Sequence, residues 1–211
     1  MKRITNFTVA LVIMLGLGFN AEAQISYGVK AGVNSSVQSK IGNLYDGDNF
    51  KPGLVLGIKT GYSFTNILSL SAELNYEGKG SQTDVSLNNS TESVVRDFNY
   101  LSVPLLLNAG FSNQLGLQPN WKIYGSFGPY YSWLLSAQDF SGSTEISNQT
   151  NVENAASDND WGLVFGIGVS HKIKSFEVYT DLRYDMGLNE IISTDKNLRN
   201  KTIALTVGIN L

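Results

Sequence analysis

From Ile25 onward the odd positions read Ile25, Tyr27, Val29, Ala31, Val33, while the even ones read Ser26, Gly28, Lys30, Gly32, Asn34. Successive side chains of a strand point to opposite sides, so strict alternation predicts a strand with one apolar face. The pattern recurs seven more times. The second segment sets Leu54, Leu56, Ile58, Thr60, Tyr62 and Phe64 against Val55, Gly57, Lys59, Gly61 and Ser63. The third sets Leu68, Leu70, Ala72, Leu74 and Tyr76 against Ser69, Ser71, Glu73, Asn75 and Glu77, and the fourth carries Leu101, Val103, Leu105, Leu107 and Ala109. The fifth has Trp121, Ile123, Phe127, Tyr131 and Trp133 on one face, with Lys122, Tyr124, Ser126, Gly128 and Tyr130 on the other. The last three apolar faces run Trp161 to Val169, Phe176 to Met186, and Ile203 to Leu211.

The connections alternate as well. They are expected to be long and polar at Val37–Lys51, tight at Thr65-Asn66, long at Ser81–Val95 and moderate at Ser112–Asn120. Then follow a long one at Ala137–Asp160, a tight one at Ile173-Lys174 and a long one at Leu188–Asn200. Eight strands with short links on one rim and long links on the other are the layout of a closed, up-and-down antiparallel transmembrane β-barrel with both termini on the periplasmic side.

A different segment precedes the strands. Lys2 and Arg3, an apolar stretch from Phe7 to Phe19, and Ala21-Glu22-Ala23 with its small residues match a secretory signal peptide. Cleavage is expected before Gln24, giving a signal peptide at 1–23 and a barrel domain at 24–211. The stretch is short for crossing a ~30 Å hydrocarbon layer, and nothing after Ala23 is apolar for long enough to form a membrane helix.

Volume decides which face points outward. An eight-stranded barrel encloses a space just wide enough for side chains to fill, far too small for some forty mostly bulky apolar residues. They are expected to face lipid. Trp121 and Trp133 share that face twelve positions apart, roughly 30 Å along the membrane normal at ~3.3 Å per residue and a tilt near 40°, the spacing of two aromatic girdles. Trp161 would join the outer one.

The polar face then lines the lumen, placing Lys30, Lys59 and Arg183 in a confined space with Glu73, Glu77, Glu177, Asp181 and Asp185. Unpaired buried charges are costly, so mutual pairing that plugs the lumen is expected. The alternative is a charged constriction that selects ions, as in a narrow porin-like transport or secretion-accessory barrel.

Composition narrows the function. The 21 Gly, 10 Tyr, 10 Phe and 3 Trp, with 4 Pro, favour strands over helices. The absence of Cys excludes disulfides, a thiol nucleophile, thiolate metal sites and lipid attachment at an N-terminal cysteine. The net charge of −3, with Lys and Arg scattered along the chain, offers no basic field for nucleic acid.

The phrase Tyr100-Leu101-Ser102-Val103-Pro104-Leu105-Leu106-Leu107 resembles the PorT-like, porin-type outer-membrane β-barrel family, and Gly28-Val29-Lys30-Ala31-Gly32-Val33-Asn34 is similar to that family's first strand. The resemblance covers the mature chain. It implies an eight-stranded barrel of the OmpA/OmpX-like shape, usually without an assigned activity. Many such barrels end in an aromatic residue read by the barrel-insertion machinery, whereas this chain ends in Leu211. Pro104 cannot donate to a ladder, so a bulge or register break is expected there.

Candidate chemistry is sparse. Some small outer-membrane barrels are lipid A hydrolases or acyltransferases that depend on a His; the single imidazole here, His171, falls on the lipid-facing parity near a tight turn, where an interfacial residue is expected. Asp158, Asn159 and Asp160 lack the spacing of a calcium loop and read as a solvated loop end. Gly162, Gly166 and Gly168 lie in an alternating strand, not at a phosphate-binding strand-to-helix turn. No enzyme, cofactor or metal is expected. The leading expectation is a non-enzymatic outer-membrane barrel whose long loops serve structural, adhesive or accessory contacts with an extracellular ligand or envelope protein. A soluble periplasmic ligand-binding barrel is the alternative from another class, and it requires polar outer faces.

Overall fold

The computed structural model describes residues 25–39, 49–87, 90–111, 116, 118, 120–141, 144–145, 156–191 and 198–211; the segment read as a signal peptide lies outside them. Eight long strands are β1 (Ile25–Ser39), β2 (Asn49–Ser63), β3 (Leu68–Leu87), β4 (Ser90–Gly110), β5 (Trp121–Ser141), β7 (Asn159–Ile173), β8 (Phe176–Gly187) and β9 (Arg199–Asn210). A two-residue strand, β6 (Thr144–Glu145), pairs only with the end of β5.

Every pairing is antiparallel, and β1 hydrogen-bonds to both β2 and β9. The sheet order β4-β3-β2-β1-β9-β8-β7-β5 is closed by the β4–β5 pairing, so no long strand is left with a free edge along the wall. In lipid, where no water is available to backbone groups, closure is what satisfies them. The chain is thus all-β, an eight-stranded up-and-down barrel.

Several strands outrun their sequence signal. Ser81–Val95, read as a loop, is mostly strand: β3 and β4 stay paired from Ser81↔Arg96 to Leu87↔Ser90. Likewise β5 continues to Ser141, well into the connection placed at Ala137. These extensions lack the clean apolar alternation of the spans because they lie past the apolar wall, and alternation is a signal of a two-sided environment.

The turns also shift. The β7–β8 turn is Lys174-Ser175, one residue later than expected, with Lys174 in the left-handed region at φ 54°. The β2–β3 turn spans Phe64 to Ile67, where Thr65 Oγ1 accepts from the backbone N–H groups of Ile67 and Leu68.

Pro104 breaks no register. The β4–β5 pairing keeps one offset from Tyr100↔Leu134 through Pro104↔Tyr130 to Gly110↔Tyr124. The irregularity lies at Asn99/Tyr100, opposite an extra residue, Leu135, in β5. A second irregularity falls between Phe50 and Val55 of β2, where Pro52 stands. The bulge in β5 shifts the inward phase from even positions (Tyr130, Ser132) to odd (Ala137).

Candidate functional site

The outward wall is apolar. Tyr27, Val29, Leu54, Ile58, Ile167 and Val207 are each more than half exposed, and the same parity continues around all eight strands. A soluble barrel with polar outer faces does not describe this surface. Trp121, Trp133 and Trp161 all point outward. Trp121 sits near the short-turn end, opposite His171, with ring centroids 4.4 Å apart. At the other end Trp133 stacks edge-on against Tyr131, whose cross-strand partner is Trp161.

The inward face holds charge, and Glu73 of β3 is its hub. Glu73 accepts from Lys30 Nζ of β1 at 2.5 Å and, across the lumen, from Arg183 Nη1 and Nη2 of β8 at 2.7 and 2.8 Å. Arg183 also donates to Asp181 Oδ2 at 2.8 Å, and Tyr124 of β5 donates to the other Asp181 oxygen. Both carboxylates and the guanidinium are at most 5% exposed. Arg recognises carboxylates through two parallel bonds, which fixes β8 against β3.

The remaining expected lumen residues divide. Lys59 stands over the Tyr179 ring, 4.6 Å from its centroid, without an ion-pair partner among the described residues. Glu177, near the short-turn end, accepts from Ser170 at 2.5 Å and Asn210 at 3.1 Å. Glu77 pairs with Lys79 at 3.2 Å. Asp185 is buried near that pair, with Oδ1 lacking a hydrogen-bond partner.

Lys79 and Asp160 form a second cluster that the sequence reading missed. The wholly buried Lys79 lies 3.4 Å from Asp160 Oδ2 and 4.6 Å from the centroid of Tyr130. Asp160 also accepts from Tyr130 OH at 3.2 Å and Asn200 Nδ2 at 3.0 Å. The solvated-loop reading therefore fails for Asp160, which is fully buried, while Asp158 two positions earlier is exposed. The signal was available: the inward parity of Glu73, Asn75 and Glu77 reaches Lys79, and that of Gly162 and Val164 reaches back to Asp160.

Apolar side chains complete the filling. Phe98, Tyr100, Ala137, Ala156 and Ile191 form a buried cluster beyond Lys79, with Leu134 and Leu198 packed on it. Leu106, Tyr130 and Val164 form another at mid-height. Three lumen tyrosines lie over inward glycines that are their cross-strand partners: Tyr124 with Gly168, Tyr130 with Gly162, and Tyr179 with Gly208. A Cβ on any of these glycines would come within 2.8 Å of the ring.

A closed antiparallel barrel with an apolar outside and a charged, side-chain-filled inside is the membrane-spanning type found in bacterial outer membranes. The chain belongs to the outer membrane protein β-barrel domain family, whose model matches residues 14–193, and this places the barrel in outer-membrane lipid. Among solved structures, Neisserial surface protein A aligns with a TM-score of 0.56 at 16% identity, over 90% of this chain and 99% of that one. The Yersinia pestis attachment invasion locus protein Ail, in complex with the heparin analogue sucrose octasulfate, gives 0.45 at 16% identity over 89% and 99%. The Escherichia coli outer membrane protein W gives 0.44 at 10% identity over 90% and 100%. At such identities the likeness to Neisserial surface protein A is one of fold. No curated protein matches the sequence.

Proposed function

We propose that the protein is a non-enzymatic, non-conducting outer-membrane barrel that displays its outer rim for structural, adhesive or accessory contacts. The observation that carries this reading is the Glu73 hub. It ties β1, β3 and β8 together across the lumen, at a level where an eight-stranded wall leaves little width for water. The aromatic cluster around Phe98 and Tyr100 and the Lys79–Asp160 cluster add two further layers. Passage would require breaking a desolvated ion-pair network, which favours a plug over the porin-like transport alternative.

On this reading Trp121 marks the periplasmic girdle, and Trp133 and Trp161 the outer one. Residues 1–23 direct export, residues 24–211 form the mature domain, and the barrel-insertion machinery assembles it. Within the wider family the phrase around Pro104 supports a place among the PorT-like, porin-type members. The extended β3–β4 hairpin rises on the outer side and is the surface on which a partner is met.

Reconstitution of the mature protein in planar bilayers tests the plug. Sealed membranes at moderate voltage are expected, and discrete, ion-selective openings of the unmodified protein would favour transport.

A further inference from the structure

Below the Glu73 hub the side-chain filling leaves a gap. A cavity of about 70 Å³ lies at the end that carries the short turns, lined among others by Lys59, Lys122, Asn108, Ser69, Tyr179 and Glu177. A site needs only ~10–15 Å³ to admit one water, so this one has room for several waters or one compact oxyanion.

Its walls are rich in uncommitted donors. Lys59 and Lys122 have no carboxylate within ion-pairing distance among the described residues. The single acid in the lining, Glu177, already accepts at both oxygens, from Ser170 and from Asn210. The Tyr179 hydroxyl, on a residue 2% exposed, has no hydrogen-bond partner. Charge is distributed unevenly along the axis. Toward the outer end Glu77, Asp160 and Asp185 surround Lys79, and the second buried cation there, Lys51, is already paired with Asp97. In the periplasmic half Lys30, Lys59, Lys122 and Arg183 outnumber Glu73, Asp181 and Glu177. A confined ammonium without a counter-charge is costly, and a bound anion supplies one.

We propose that this vestibule binds a compact oxyanion of the phosphate class entering from the periplasmic side, with Lys59 and Lys122 as charged donors and the Tyr179 hydroxyl as a neutral one. The phosphate belongs either to a free ion or to a phospholipid headgroup of the inner-facing leaflet. An ammonium serves phosphate as a point charge, so the lysines need no planar fork to do so.

The test is a titration of the folded mature barrel in maltoside micelles with inorganic phosphate, followed by NMR at the cavity residues. Saturable shifts at Lys59, Lys122 and Tyr179 are expected. Lys59→Met and Lys122→Met should each weaken binding roughly tenfold, as loss of a charge-assisted contact does, while Lys174→Met in the turn should leave it unchanged. Tyr179→Phe removes only the unpartnered hydroxyl and should weaken binding about threefold, which keeps the proposal testable if a lysine variant does not fold. Competition by short-chain phosphatidylglycerol at the same residues assigns the headgroup as the source, and its absence assigns the free ion. Shifts that chloride reproduces at equal ionic strength, wild-type affinity in the folded Lys59→Met and Lys122→Met variants, or no saturable shift at all would overturn the proposal.

Discussion

Tyr124 and Gly168 are cross-strand partners, and the phenol occupies the space over the glycine so closely that a Cβ there would lie 2.4 Å from the ring and 2.5 Å from Asp181 Oδ1. The pairing holds the hydroxyl against Asp181, which in turn takes Arg183. Tyr179 over Gly208 repeats the device between β8 and β9.

Gly168→Ala is therefore expected to destabilise the barrel by about 1–3 kcal/mol, the range for overpacking a filled interior. Tyr124→Ala in the same chain should recover part of that loss. Urea unfolding in lipid vesicles reads both, and a Gly168→Ala barrel as stable as the parent would refute the steric account.

Removing Glu73 from the hub should be worse than removing Arg183. Glu73→Gln strands Lys30 and Arg183 with Asp181 as their remaining acid in the network, at an expected cost of about 3–5 kcal/mol. Arg183→Met should cost less than Glu73→Gln, because Lys30 still serves Glu73 and Tyr124 still serves Asp181. Additive losses for Glu73→Gln and Arg183→Met in a double-mutant cycle would show that the bonds contribute nothing as a set.

Phe127 lies on the outward face six positions from both Trp121 and Trp133, next to Phe165 at a centroid distance of 5.1 Å. If the tryptophans mark the two interfaces, Phe127→Arg should destabilise by about 2–4 kcal/mol, whereas Ile123→Arg near the girdle should cost about half as much or less. A depth profile that is flat, or steepest at Ile123, would place the membrane elsewhere on the barrel.

Lys174 holds a left-handed backbone in a two-residue turn, a conformation that costs a side-chain-bearing residue roughly 1–2 kcal/mol and glycine almost none. Lys174→Gly should be neutral or raise stability by up to about 1 kcal/mol, and Lys174→Val should lower it. The heat at which the folded band disappears on electrophoresis gives the order.

The eight spans were readable because each crosses an environment that is apolar on one side and filled with polar groups on the other, which imposes a period of two on positions such as Ile25 to Val33. Beyond the wall that constraint lapses, so the paired stretch from Ser81 to Leu87 resembled a loop. The charged set was legible as a set, since inward parity alone selects Lys30, Glu73 and Arg183; their pairing was not, because contacts across a lumen depend on shear rather than on spacing along the chain. Lys79 was missed because it stands between Gly78 and Gly80, outside the counted span, and Asp160 because a run of Asp and Asn next to a strand reads as solvent-facing. Pro104 misled for another reason: the ladder tolerates its missing donor without changing offset.

The seam of the barrel joins β1 to β9, with Gly28 opposite Asn210. The second edge of β1 must wait for β9, with nearly the whole barrel sequence as the loop between them. Contacts so distant in sequence close slowly. Until Arg199–Asn210 pairs with β1, the chain carries an open edge and a one-sided greasy ribbon, so its survival in that interval depends on how well that ribbon is shielded and how fast the seam closes, quantities that the stability of the finished barrel does not set.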